Sequence, residues 1–187
     1  MENVRPRYRR ATVDITRAAV LLALLIVWQY VTAPLKLTLL TGSGVNFLLI
    51  ICVLTSGTAP GLCMALISPV LAKLLNIGPM WELIPFIALG NVTLALVWRL
   101  IAGEARAVRA VWKPFVAAIL GALVKFAVLF FGIVKIAVPL VLKLPEPQAG
   151  AISGTFSVPQ LFSALIGGAL AIAALPLLKI LLKGRST

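Results

Sequence analysis

Residues 112–138 read WKPFVAAILGALVKFAVLFFGIVKIAV, with Lys125 at the middle of the run and Lys113 and Lys135 toward its ends. Pro114 stands at its start and Pro139 directly follows it. At about 1.5 Å of rise per residue, a helix over 113–138 is long enough to cross the roughly 30 Å hydrocarbon core of a bilayer. Lys125 then lies about 18 Å along the axis from Lys113, so with Lys113 at one surface it falls slightly beyond the midplane. A charged lysine at that depth costs about 2.5–3.5 kcal/mol on insertion scales. An acidic partner, a carbonyl cluster, a water-filled cavity or an anionic ligand must offset that cost. The whole chain holds only five acids.

Composition agrees with the membrane setting. The 187 residues are 61% hydrophobic and 12% charged, with a mean hydropathy of +1.11. That profile describes an all-α, polytopic membrane protein, a single integral domain over 1–187. The N-terminal MENVRPRYRR is basic, but the apolar run after it is too long for a signal segment and lacks a small-residue cleavage site. It is read as a retained first helix. The net charge of +12 concentrates at predicted helix ends, which points to anionic lipid headgroups and not to nucleic acid. Cys52 and Cys63 fall inside apolar segments and read as small buried hydrophobes, not as a disulfide or metal pair. The chain has no histidine, so the commonest general base and metal ligand is missing.

Six spans are expected, near 14–32, 45–55, 58–75, 83–101, 113–138 and 156–182. Trp28 and Tyr30 suit an interfacial belt at the far end of the first, and Pro34 stops it. The segment 35–44 (LKLTLLTGSG) is unusually apolar for a water-exposed loop. The second span is read as a short or tilted helix that borrows part of it. Ser56-Gly57-Thr58 separates the second span from the third, and Pro60 suits a first helical turn. Residues 143–155 (KLPEPQAGAISGT) read as a Pro/Gly-rich loop, and Pro176 as a kink near the end of the last span.

Orientation follows from the basic residues. Arg5, Arg7, Arg9, Arg10 and Arg17, then Arg99, Arg106, Arg109 and Lys113, then Lys179, Lys183 and Arg185 all fall at one end of a six-span arrangement. Lys36, Lys73, Lys135 and Lys143 fall at the other. Twelve against four, of seventeen in all, predicts that both termini are cytoplasmic.

Catalysis is not expected. The acids Glu2, Asp14, Glu82, Glu104 and Glu146 are scattered, with no carboxylate pair, metal-ligand cluster or phosphate-binding loop. What remains is a set of polar groups on the outer side of the spans. Asn46 opens the second, Trp81 and Glu82 open the fourth, and Asn91 lies within the fourth. Gln160 and Ser163 lie three apart on the last, with Gly167 one turn further on the same face. Gly121 and Gly132 share a side with Lys125, leaving room there for a ligand or another backbone. Asn91 and Gln160 could instead be interhelical glue, worth about 0.6–2 kcal/mol. Lys125 is read as contacting an anionic or carbonyl-rich ligand in preference to a structural pair with Glu82, which sits toward the outer surface. Trp28, Trp81, Phe130 and Phe162 could pack against a ring or apolar portion of such a ligand. Ala19-x-x-x-Ala23 and Ala164-x-x-x-Gly168 permit close helix approach and read, by physics alone, as packing faces within the bundle.

With these features in place, the chain resembles the substrate-binding S component of energy-coupling factor (ECF) vitamin transporters. The grounds are its length, six spans, cytoplasmic ends, and the stretches RAAVLLALLIVW (17–28), GNVTLALVW (90–98) and FSVPQLFSALIGGALA (156–171). The resemblance implies capture of a vitamin or related micronutrient in an outward-facing cavity. It would sit under the connections 35–44, 76–82 and 139–155, in the plasma membrane of a prokaryote. Lys125, Asn91, Gln160, Ser163, Trp81 and Asn46 are the candidate ligand contacts. It also implies a T component packed on Ala19 and Ala23, and two cytoplasmic ATPase subunits; this chain itself would hold no cofactor, and ATP would be used by the partners. A carboxylate vitamin fits Lys125 better than riboflavin or thiamin. A small secondary transporter and a non-transporting assembly subunit are the alternatives. The first would usually show an internal repeat or intramembrane acids, and the chain shows neither.

Overall fold

A computed structural model describes residues 5–105, 108 and 110–183, with side chains from Ala11 to Leu182. Glu2, Arg106, Arg109 and Arg185, and the side chains of Arg5, Arg7, Arg9, Arg10 and Lys183, lie outside the described residues. The described chain is helical throughout: α1 Arg5–Thr32, α2 Thr38–Ser56, α3 Thr58–Leu74, α4 Ile84–Ile101, α5 Trp112–Leu129, α6 Glu146–Thr155 and α7 Val158–Lys183. Five stretches are long and apolar enough to cross a membrane, and α3 is a shorter apolar helix of 17 residues. Large apolar side chains such as Val20, Leu24, Val27, Leu120, Phe131 and Leu177 are exposed on the outer surface. So much exposed apolar surface suggests a membrane protein.

α2 is the inner helix, packed against α1, α3, α4 and α7, while α4, α5 and α7 follow one another around it. Half of α2 is buried, against a tenth of α1. Three apolar clusters hold the bundle. One surrounds Trp98 between α2, α4, α5 and α7 toward the termini, and a second joins α1, α2 and α3 around Leu25 and Leu49. The third caps the opposite end around Leu83, Leu129, Ile133 and Phe156. The polar residues of the next section lie between the first and third.

The bounds of three segments differ from those predicted. α2 begins at Thr38, so most of 35–44 is helix and not loop. Its glycines do not break it because neighbours press on them: a side chain on Gly42 would meet Ser163, and one on Gly44 would occupy the space of the Trp28 indole. Pro139 does not end the fifth span. After Leu129 the helix widens into a π-helical segment, Phe130–Leu142, closed by Lys143 N–H donating to the Val138 carbonyl five residues back. That wider winding relieves the clash a proline ring makes with the preceding turn. Residues 143–155 are not a loop, since 146–155 form α6. Pro147 lies in its first turn, where no intrahelical bond needs its N–H, and Gly150 and Gly154 face open space.

The α2–α3 hairpin turns on one residue. Gly57 has φ 93° and ψ −179°, a conformation essentially confined to glycine. The turn lets Val53 and Gly61 touch across the hairpin, with a Cβ on Gly61 only 2.8 Å from the Val53 Cα. Two arginines pin this end. Arg17 donates to the Thr55 carbonyl and sits 3.6 Å from Asp14. Arg99 donates to Thr58 Oγ1 at 3.0 Å and to Glu104 at 2.9 Å. Gly57→Ala is expected to cost about 1–3 kcal/mol through backbone strain alone, read as a lowered thermal midpoint of the purified protein in detergent. Open space around the position means a steric clash would not account for the loss.

Cys52 and Cys63 are both free thiols. Cys52 is buried as expected, but Cys63 is exposed on the outward face of α3, because the apolar composition of α3 extends to its outer side and does not by itself mark the core. Ala164 and Gly168 pack inside the bundle, Gly168 against Ala118 of α5. Ala19 and Ala23 do not. Both lie on the exposed face of α1, because α1 docks on α2 and α3 through Ala18, Leu25 and their neighbours instead.

Candidate functional site

Lys125 is 4% exposed, and two amide oxygens from different helices reach its ammonium group. Its Nζ donates to Asn46 Oδ1 of α2 at 2.6 Å and to Asn91 Oδ1 of α4 at 2.7 Å. The cost of burial is therefore met by a carbonyl cluster and not by an acid. Charge-assisted bonds of this length are about twice as strong as neutral ones. No described carboxylate reaches the lysine. Glu82 is exposed in the 3-10 turn Trp81–Leu83 ahead of α4, while Asp14 and Glu104 engage Arg17 and Arg99 at the other end.

The network has a direction. An ammonium can only donate, so both asparagines must present oxygen to it and turn their NH2 groups away. Asn46 Nδ2 then donates to Ser163 Oγ at 3.3 Å, and that hydroxyl donates to the Gln160 carbonyl at 3.1 Å. Gln160 Nε2 donates to the Thr155 carbonyl at 3.3 Å, tying the start of α7 to the end of α6. Asn46, Asn91 and Ser163 are each at most 3% exposed. Close packing sets the register: a Cβ on Gly167 would lie 2.7 Å from Asn46 Cβ and 2.8 Å from the Ser43 carbonyl oxygen. α7 thus rests directly on the α2 backbone beside Asn46.

A cavity of about 250 Å³ opens above this floor, at the end of the bundle away from the termini. Asn46, Asn91, Lys125 and Gln160 line it, with Val45, Pro69, Ile87, Leu129 and Phe156 as apolar wall. Gln29, Lys36, Thr38 and Thr41 line it where α1 hands over to α2. None of the described lining residues is acidic. Lys36 is held at φ 55° as the cap of the turn Ala33–Leu35, a left-handed conformation that costs a non-glycine residue of order 1 kcal/mol. The Ser68 hydroxyl is 1% exposed and has no partner among the described residues.

Of the residues singled out in the sequence, Lys125, Asn46, Asn91, Ser163 and Gln160 converge on one network. Trp81 does not join it: half-exposed in its short turn, it is absent from the cavity wall. Phe162 faces outward, and Phe130 stacks on Phe126 with Lys135 over its ring. Trp28 is occupied in holding α2, its indole N–H donating to the Thr41 carbonyl at 3.1 Å. Room beside Lys125 at Gly121 and Gly132 is taken by α4 side chains, Leu94 and Trp98 at one and Phe86 at the other. The sequence reading missed Gln29, Ser68 and Phe156 as lining residues. The first two carried a weak signal, a lone polar side chain within an apolar helix; Phe156 carried none, because its inward direction is set by α6.

Fold and site together define a class: an all-helical chain, with helices suited to crossing a membrane several times, enclosing a polar-floored cavity at one end. Comparison with protein-family models, with characterised proteins and with solved structures finds no match to this chain.

Proposed function

We propose that the chain is the substrate-binding S component of an ECF-type importer in a prokaryotic plasma membrane, with both termini cytoplasmic. It captures a vitamin or related micronutrient from outside and delivers it through a T component driven by two cytoplasmic ATPase subunits. One observation carries the reading: a lysine buried in mid-bundle, held by Asn46 and Asn91 without an acid, at the floor of a cavity. A structural lysine needs no cavity, and one neutralised by a carboxylate would leave nothing for a ligand. The volume, about 250 Å³, is near the lower bound for small-molecule sites. Two further features support it. Ala19 and Ala23 lie on the exposed face of a first helix that is largely unburied, so a partner's helices could approach its backbone closely. The sequence stretches quoted for the resemblance span the same first, fourth and last helices.

Native mass spectrometry of the gently purified chain tests this. The expected result is a bound molecule of vitamin size, together with co-purifying T and ATPase subunits when these are expressed with it. Protein that stays empty and recovers no such subunits would favour an assembly subunit instead.

A further inference from the structure

The donor and acceptor count at the cavity floor narrows what can bind there. Lys125 has three N–H donors, and the two asparagine oxygens take two of them. Because each asparagine is forced to give its oxygen to the lysine, each is left with an NH2 group to place. Asn46 places one of its hydrogens on Ser163. Asn91 Nδ2 has no acceptor among the described residues, although the side chain is 3% exposed and lies on the cavity wall. The floor thus keeps two unused donors next to each other, the third N–H of Lys125 and the amide N–H of Asn91. Their side chains are joined by a 2.7 Å bond, so the two donors belong to one hydrogen-bonded pair on the cavity wall. The oxygens beside these donors are already engaged, both amide oxygens accepting from the lysine and the Ser163 oxygen from Asn46, whereas the unpartnered oxygens that line the cavity, Gln29 Oε1 and Ser68 Oγ, belong to α1 and α3.

From this we infer that the cavity is a carboxylate site. The two oxygens of a deprotonated carboxyl group take the Lys125 and Asn91 donors, and the molecule's apolar body lies along Val45, Ile87, Leu129 and Phe156. An ammonium or amine is disfavoured at this pair, since its hydrogens would face the N–H groups of Lys125 and Asn91. Lys36 on the wall, with no acid among the described lining residues, favours the same sign of charge. The inference rests on the capture function proposed above and sharpens it: the ligand's defining group is an acid, and Asn91 is the residue that selects it.

The test loads the full chain, in mild detergent, from a protein-free extract of a rich growth medium. A second sample uses the same extract after carbodiimide and methylamine have turned its carboxylates into neutral N-methylamides. Native mass spectrometry reads the occupancy, and fragmentation of the released molecule identifies the acid by loss of carbon dioxide. The expected result is loading from the untreated extract and at least about a tenfold loss of occupancy after amidation, the scale of one charged hydrogen bond. Asn91→Asp supplies the second arm. Its carboxylate keeps Lys125 paired, so the variant stays as heat-stable as the parent, yet it replaces the selecting donor by an acceptor and should bind no acid. A merely structural Asn91 would leave loading intact in that variant, which would overturn the inference. Retention of a neutral, cationic or purely phosphate-bearing molecule would overturn it too, while leaving the capture function standing. If no molecule is retained from either extract, the capture function itself fails and takes the inference with it.

Discussion

Replacing Lys125 by methionine is expected to abolish ligand retention while leaving the fold nearly as stable as before. Two effects on stability oppose each other. The substitution removes a charge whose burial costs about 2.5–3.5 kcal/mol at mid-membrane depth. It also strips the partner from Asn46 Oδ1 and Asn91 Oδ1, and each buried, unsatisfied acceptor costs about 1–3 kcal/mol. The two acceptors together cost about 2–6 kcal/mol, a range that brackets the gain, so the thermal midpoint should move little. Binding has no such compensation: losing a charged donor to an anionic ligand costs about 1.5–3 kcal/mol, a factor of roughly 10–100 in affinity. Paired measurements of melting and ligand occupancy on the parent and the variant read the two effects separately. A large fall in stability with ligand retention unchanged would show that Lys125 is a structural cross-link and not a binding group.

Gly167→Ala should do the reverse, damaging the fold first and the site as a consequence. The new Cβ would stand 2.7 Å from Asn46 Cβ, 2.8 Å from the Ser43 carbonyl oxygen and 2.9 Å from the Phe47 nitrogen. Two of these are backbone atoms of α2, so relief requires the inner helix and α7 to move apart. Overpacking of this kind costs about 1–3 kcal/mol, and the displaced Asn46 would carry the lysine network with it. The neighbours set a scale for comparison. At Gly168 the added methyl meets Ala118 Cβ at 3.0 Å, a side-chain contact, and at Gly150 it meets nothing within 4 Å. Thermal midpoints should therefore fall most for Gly167→Ala, less for Gly168→Ala, and stay level or rise for Gly150→Ala, where the helix gains propensity. An equal response at all three positions would mean that the α2–α7 contact does not set the register of the site.

The errors of the sequence reading have a common origin. Proline and glycine read as local punctuation at Pro139 and at 143–155, whereas at 35–44 the second helix does borrow part of the segment, and more of it than the predicted start at 45 allows. At Pro139 the helix continues through a change in winding, and at 146–155 a separate helix forms with Pro147 in its first turn. The reading of Ala19 and Ala23 as buried packing residues failed for the complementary reason. Small residues license close approach, but nothing in the spacing says whether the neighbour belongs to the same chain. Trp81 was grouped with the site because it opens the fourth span near Glu82, and adjacency along the chain did not translate into a position on the cavity wall.

By itself the sequence settled the class of fold and the position of the key residue within its helix. Hydropathy and length are sums over local residues, and helical rise is constant, so the spans and the place of Lys125 within one of them follow without knowing any neighbour. The scarcity of acids, too, is a count. The tertiary structure decided everything that depends on rotation about a helix axis and on contacts distant along the chain. Asn46 and Lys125 are 79 residues apart, and Asn46 and Ser163 are 117 apart. Only the packing of α2 against α4, α5 and α7 brings them to one floor. It also answered the question posed by the buried charge, by turning two amide oxygens toward the lysine and leaving its remaining donor to the cavity.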